Sequence, residues 1–484
     1  MSVLSERLAA IRSAPKGKQI GAFFDYDGTL IEGFSVSAIY RDRIRRLDVG
    51  LSELAQTVLI GLRGVENEQD YAAVLEVTKP MLAGQTYAEM LAEGERLFKH
   101  ETSSLLRPQM WQIIRAHREQ GHRIVIASSA TRFQIDPIAR EIEADHALCT
   151  EVEVVDGVLT GEFLGRPLWG PGKAAAVRSL AREHDIDLDA SFAYSDGSED
   201  VPYLEAVGHP AAVSPRHGMR AVAESRGWPI LELRNPTHNK GLMLARTGAF
   251  YSSFIASAAA GIAGSMLSGD PSVFVEQALP RGNELGLALS GVRIDVVEGE
   301  DYLFSHRPCV FVFNHQSKLD APVLIHLLKQ EVTAVAKKEV KTVPVLGQIF
   351  DLAGLVFIDR ADPDKAKKQL EPAVAKLREG VSLVVAPEGT RSSTPRLGPF
   401  KKGAFHIAMQ AQVPIVPIVL RNTGELMWRG AQLIKPGTVE VKVLPPVDTS
   451  RWKPSTVDRH VEQVRQMYLT TLAEWPEYGE EEGS

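Results

Sequence analysis

Short β-branched and aromatic runs, each closing on a polar loop, recur along this 484-residue chain and restrict what it can fold into. Residues 20–24 end at Asp25, 123–127 at Ser128, 191–194 at Ser195, 309–313 at Asn314 and 382–386 at Pro387. Runs of that length and composition read as buried strands. Helix-forming stretches separate them, and that alternation predicts α/β architecture around mainly parallel sheets. Such sheets bind ligands beyond the carboxyl ends of their strands, so the loops just named are where chemistry is expected. The length suggests two or three domains, each burying its own core.

Composition narrows the class. With 44% hydrophobic and 24% charged residues, the chain resembles a soluble globular protein rather than a polytopic membrane protein. Its net charge of −7 offers no basic field for nucleic acid. The only cysteines, Cys149 and Cys309, lie in or beside apolar stretches, which fits a reducing compartment. Residues 1–18 carry charges throughout, so no signal peptide is read there.

The first third presents a series of motifs. Asp25-Tyr26-Asp27-Gly28-Thr29-Leu30 follows the first strand, and carboxylates at i and i+2 can share one hard divalent cation such as Mg2+. Ser128 ends the next strand, Gly172-Lys173 opens a helix, and Ser195-Asp196-Gly197-Ser198-Glu199-Asp200 follows a third strand. This order resembles the haloacid dehalogenase superfamily, in its phosphoserine-phosphatase-like branch, over about residues 18–235. The resemblance implies a Rossmann-like domain (residues 1–235) with a helical cap over about 34–106. It makes Asp25 the nucleophile that becomes an aspartyl phosphate and Asp27 the acid and base. Ser128 and Lys173 would hold the phosphoryl oxygens, and Asp25, Asp27, Asp196 and Asp200 would form the Mg2+ site. A dianionic phosphate approaches a carboxylate only when cations offset the repulsion. The arginines Arg41, Arg43, Arg45 and Arg46 read as a solvated helix face. Phosphoserine phosphatases carry an acidic residue nine positions after the nucleophile to grip the serine amine; Phe34 stands there, and Glu32 is out of register. A lipid phosphate or glycerol phosphate is therefore the expected substrate. A phosphoserine phosphatase, or a regulatory module without catalysis, remains an alternative.

The stretch 247–269 has no charged residue and sits in an expected linker, 236–270, after Asn235-Pro236. Phe250, Phe254, Ile262 and Met266 recur at helical spacing, while Ser253, Ser257, Gly261 and Ser265 make a small-residue stripe suited to helix packing. A helix or helical hairpin dipping into one leaflet is expected, with a buried interdomain helix as the competing reading.

In the second half, Asn314-His315-Gln316-Ser317-Lys318-Leu319-Asp320 follows a strand. An aspartate on one ring nitrogen would fix the His315 tautomer and leave the other nitrogen to take a proton. Ala334-Val335-Ala336-Lys337-Lys338-Glu339 comes next, Phe357-Ile358-Asp359-Arg360 and Glu388-Gly389-Thr390-Arg391 follow, and then Val413-Pro414-Ile415. A long amphipathic helix is read over 363–378. The set resembles the glycerolipid acyltransferases, specifically 1-acylglycerol-3-phosphate acyltransferases, over about 280–450. The resemblance implies an α/β acyltransferase domain (271–470) before an acidic tail (471–484). His315 would deprotonate the glycerol hydroxyl, oriented by Asp320, for attack on an acyl thioester of coenzyme A or acyl-carrier protein. Arg360 and Arg391, helped by Lys337, would bind the glycerol phosphate. Glu388 would position the glycerol or Arg391, within a binding segment that includes Gly389 and Thr390. The expected partners are lysophosphatidate, phosphatidate and the acyl donor, with a homo-oligomer allowed. The expected location is the cytoplasmic face of the cell membrane, peripheral or monotopic.

Overall fold

The computed structural model describes residues 3–46, 68–166, 168–233, 239–269, 278–337, 354–358 and 371–475. The chain divides between residues 237 and 238 into two compact units.

In the first unit β1 (Ile20–Phe24), β2 (Arg123–Thr131), β3 (His146–Val155), β4 (Val158–Leu164), β5 (Asp187–Ser195), β6 (His209–Val213) and β7 (Ile230–Leu231) form one sheet. Its order is β4-β3-β2-β1-β5-β6-β7, and only the β3–β4 pair is antiparallel. The β1 sequence Ile-Gly-Ala-Phe-Phe is buried along its whole length, as a strand covered on both faces requires. β1 is the middle strand, and later segments of chain return on both sides of it. The loop after β1 therefore opens at a topological switch point. Helices Ser35–Arg45, Glu68–Leu82 and Tyr87–His100 come between β1 and β2, where a helical cap is expected. The arginines of the first are tied within this region: Arg41 and Arg45 pair with Glu101, and Arg46 pairs with Asp42 and Glu93.

The second unit repeats the principle. β8 (Val292–Glu298), β9 (Val310–Phe313), β10 (Val332–Lys337), β11 (Val356–Ile358), β12 (Ser382–Val385), β13 (Ile415–Leu420) and β14 (Gly437–Val443) form a sheet ordered β11-β10-β12-β9-β13-β14-β8. Only β13–β14 is antiparallel. β9, Val-Phe-Val-Phe, is again the middle strand and buried throughout. Of the helix expected over 363–378, the described part is Glu371–Arg378. The last helix, Val457–Ala473, runs past the expected boundary at 470 because it belongs to the core. Its Tyr468 is fully buried, and the hydroxyl donates to the Val312 carbonyl of β9 at 2.6 Å.

The uncharged run, up to its C-cap Gly269, belongs to α1 (Lys240–Ser268), which joins the second unit by packing on α2 (Leu279–Ser290). Ser253 and Ser257 of the small-residue stripe make that contact. A Cβ at Gly282 would lie 2.3 Å from the Ser257 Cβ, so only glycine admits this approach. Ser257 Oγ donates to Ala278 O at 2.7 Å and Ser253 Oγ to Gly282 O at 3.2 Å. Phe250 is buried in the same core as Leu287. Tyr251, Ile255, Met266 and Leu267 are exposed, the last two at 81% and 91%. A buried interdomain helix would show the reverse.

Candidate active sites

In the first unit Lys173 is the pivot. It enters on the helix Pro171–Glu183, is 3% exposed, and donates to Asp25 Oδ1 at 2.9 Å and to Asp200 Oδ2 at 2.6 Å. Ser195 Oγ also donates to Asp200 Oδ2 at 2.6 Å. Asp196 is buried beside them, paired with Arg216 Nε at 3.0 Å. Gly28 makes room for it: φ is +81°, and a Cβ there would lie 2.3 Å from Asp196 Oδ2. Ser128 is buried on β2, beyond the level where Ile126 pairs with Phe24, and so lies at the same end of the sheet as Asp25.

These groups share too little positive charge. Burial, set against the Lys173 charge and reinforced by Asp200 and Asp196, pushes Asp25 up to about 7. Burial likewise raises Asp196 to about 6, despite Arg216. Lys173 also pays for its burial, yet Asp200 and Asp25 together hold it above the ordinary lysine value. Burial lifts Asp27 to about 7 as well.

The four aspartates expected to hold the metal differ in their surroundings. Asp27 turns its carboxylate to Ser35, accepting from the backbone N–H at 2.6 Å and from Oγ at 3.0 Å. Among the described residues no three His, Cys, Asp or Glu side chains converge closely enough to ligate an ion as they stand. The reason is that Lys173 stands between Asp25 and Asp200 while Arg216 takes Asp196. The donor chemistry still suits a hard divalent cation. Asp25 and Asp200 share one buried ammonium, Asp196 is buried nearby, and Asp200 Oδ1 is buried with no hydrogen-bond partner.

The structure adds groups that no motif marked. Tyr71, on the cap helix Glu68–Leu82, donates to the Ser129 carbonyl at 2.7 Å, next to Ser128. The Arg216 guanidinium lies 5.8 Å from the centroid of the exposed Phe34 ring.

In the second unit the loop after β9 is held from several directions. Asn314 accepts from Leu420 N at 2.8 Å and donates to Leu420 O at 2.7 Å, fastening the loop to β13. Ser317 Oγ donates to Met427 O at 2.6 Å. Asp320, fully buried, opens the helix Asp320–Leu328. Its Oδ2 lies 2.7 Å from His315 Nδ1 and accepts from the N–H groups of Gln316 and Ser317 at 2.8 and 2.9 Å. Thr423 Oγ1 donates to Oδ1 at 2.5 Å. A carboxylate so surrounded accepts from Nδ1–H and leaves Nε2 of the partly exposed His315 ring as acceptor.

Glu388, expected to position the glycerol or Arg391, is held by the loops around it. Its Oε1 accepts from His315 N at 2.7 Å, and Oε2 accepts from Gly398 N at 2.8 Å and Ser392 Oγ at 3.0 Å. It straps its loop to the histidine loop, a bond reinforced by Ser392 N donating to His315 O at 2.7 Å. Both oxygens accept hydrogen bonds inside the protein, and burial raises the Glu388 pKa. Gly389 supplies the turn at φ +75°, Thr390 is exposed, and Arg391 is half-buried beside the dyad. Lys337 closes β10 opposite Ile358. Arg360 lies outside the described residues.

Comparison with known proteins follows the same division. A haloacid dehalogenase-like hydrolase family model matches residues 22–205, and an acyltransferase family model matches residues 295–421. A 1-acyl-sn-glycerol-3-phosphate acyltransferase from Cocos nucifera is 38% identical over 37% of this chain and 58% of its own length. The chain thus spans little more than half of that relative. A protein of the same name from Limnanthes douglasii is 36% identical over 40% of this chain and 70% of its own. A probable phosphatase from Mycobacterium tuberculosis is 34% identical over 46% of this chain and 78% of its own. The chain belongs to the haloacid dehalogenase-like hydrolases through its first unit and to the 1-acyl-sn-glycerol-3-phosphate acyltransferases through its second.

Proposed function

We propose that the second unit transfers an acyl group from a thioester to the free hydroxyl of 1-acylglycerol 3-phosphate, and that the first hydrolyses a phosphomonoester through Asp25. The His315–Asp320 pair, with Arg391 beside it, is the observation that carries the acyl-transfer reading. His315 Nε2 takes the hydroxyl proton as the hydroxyl oxygen attacks the thioester carbonyl. The tetrahedral intermediate collapses, the C–S bond breaks, and the thiolate leaves with the proton from Nε2. Throughout, Asp320 holds Nδ1–H and stabilises the imidazolium.

In the first unit Asp25 attacks phosphorus, and Asp27, raised toward neutrality, is suited to protonate the leaving alkoxide and then to deprotonate water. Lys173, with Ser128, steadies the phosphoryl oxygens. Mg2+, held by Asp25 and Asp196 with Asp200 behind them, would offset the repulsion between phosphate and carboxylate. Phe34 and Arg216 favour a lipid phosphate or glycerol phosphate over phosphoserine: a serine ammonium would meet an apolar ring and a guanidinium instead of a carboxylate. Steady-state turnover of lysophosphatidate, glycerol 3-phosphate and phosphoserine by the full chain with Mg2+ tests this, and faster phosphoserine hydrolysis overturns it.

The reading places the protein on the cytoplasmic face of a membrane, with the exposed flank of α1 inserted into one leaflet. Binding to neutral liposomes should survive high salt, which screens surface attraction. Replacing Ile255 and Leu267 by serine should release the protein, since burying each such side chain contributes about 1.5–3 kcal/mol. Phe250 is unsuitable for this test because it is core. Co-sedimentation that salt reverses would argue against insertion.

A further inference from the structure

Arg429 belongs to no motif that the sequence analysis singled out, yet the fold brings it to the acyltransferase site. It follows buried Trp428 in the loop that Ser317 Oγ fastens to the histidine loop through Met427 O. Its Nη1 donates to the Arg391 carbonyl at 2.9 Å. Arg391 has a guanidinium nitrogen, Nη1, that is buried and has no hydrogen-bond partner. Burial, and then the Arg429 charge, draws the Arg391 pKa below its ordinary value. Lys318 of the histidine loop is lowered by burial and then by the Arg391 charge. Among the described residues none of these three cations has an ion pair. The two nearby carboxylates are committed elsewhere: Asp320 to His315, Gln316, Ser317 and Thr423, and Glu388 to His315, Ser392 and Gly398.

We propose that Lys318, Arg391 and Arg429 together bind the phosphomonoester of the acyl acceptor, with Arg429 contributing directly to that pocket. This rests on the acceptor reading above. Three mutually repelling cations, drawn partly out of water around an unmatched buried N–H, are complementary to a dianion. Guanidinium forks suit phosphate oxygens in particular. The place favours the acceptor over the donor. Arg391 adjoins Ser392, whose N–H bonds the His315 carbonyl, so the anion lies close to the base. In a lysophosphatidate only glycerol carbons separate the reacting hydroxyl from the phosphate ester. The nucleotide phosphates of a coenzyme A donor lie a whole pantetheine arm from the thioester.

The test uses the full chain, varying acceptor and donor separately. R429A should raise KM for lysophosphatidate about tenfold or more, the cost of a charged hydrogen bond to phosphate, with most of the loss in KM rather than kcat. KM for the acyl donor should stay within about twofold, and R429K should recover part of the loss. A rise in donor KM, or no change in either while lysophosphatidate is acylated, overturns the assignment. In parallel, phenylglyoxal modification of the wild type is mapped peptide by peptide. Glycerol 3-phosphate should protect Arg391 and Arg429 where glycerol does not. Inorganic phosphate should protect less; equal protection would assign the pocket to free phosphate and overturn the acceptor role. If lysophosphatidate is not acylated but glycerol 3-phosphate still protects Arg429, the acceptor reading falls and the anion pocket stands. Absence of protection overturns the pocket whatever the turnover.

Discussion

Replacing His315 by alanine is expected to lower acyl transfer to lysophosphatidate by about 100- to 10,000-fold, the usual contribution of a positioned base. Phosphomonoester hydrolysis by the same chain should keep its rate. The substitution removes only the ring: Asp320 keeps its bonds from Gln316, Ser317 and Thr423, and Glu388 still holds the backbone of position 315. The loop should therefore stay in place, and the loss should appear in kcat with little change in acceptor KM. Thioester consumption measured at saturating acceptor is the readout. Retention of more than about a tenth of the activity would place the base elsewhere.

Asp25→Asn is expected to do the reverse, lowering phosphomonoester hydrolysis on the order of a thousandfold or more, because no other group supplies the attacking oxygen. Asparagine is nearly isosteric, and Lys173 retains Asp200 at 2.6 Å, so the site should keep its shape. Acyl transfer by the same preparation is the internal control for folding. A burst of covalently bound phosphate should be seen with the unsubstituted protein and be absent from the variant. Hydrolysis persisting near the original rate, with a phosphorylated residue other than Asp25, would reassign the nucleophile.

The two sites are built alike although their chemistry differs. Asp25 follows the middle strand of one seven-stranded sheet, and His315 follows the middle strand of the other after a single residue. Each has a parallel strand on both sides, so residues from distant segments converge on it: Ser128 from β2 and Asp196 just after β5, Glu388 and Thr423 after β12 and β13. This convergence makes the proposed pocket at Arg429 reachable from the histidine loop across more than a hundred residues of sequence.

Much of this was legible in the chain itself. Buried strands such as Ile20–Phe24 and Val310–Phe313 announce themselves because a strand covered on both faces has no polar alternation, and the polar loop after each is a local pattern. The pairing of His315 with Asp320 also spans only five residues. What the sequence could not supply were partners decided at long range. Even eight residues on, nothing local marks Ser35 as the group whose backbone N–H and Oγ donate to the Asp27 carboxylate. Glu388 gave no local sign of the His315 and Gly398 amides that folding sets against its oxygens. Phe250 and Ile255 share one uncharged run of helix, yet only its packing on α2 decides which is core and which is exposed. Arg216 and Arg429 carried no local signal, for an arginine's role depends on which charges the fold brings beside it. Strand identity and short-range geometry are written in neighbouring residues; burial, charge pairing and helix facing belong to the tertiary structure, because each is set by atoms far away in the chain.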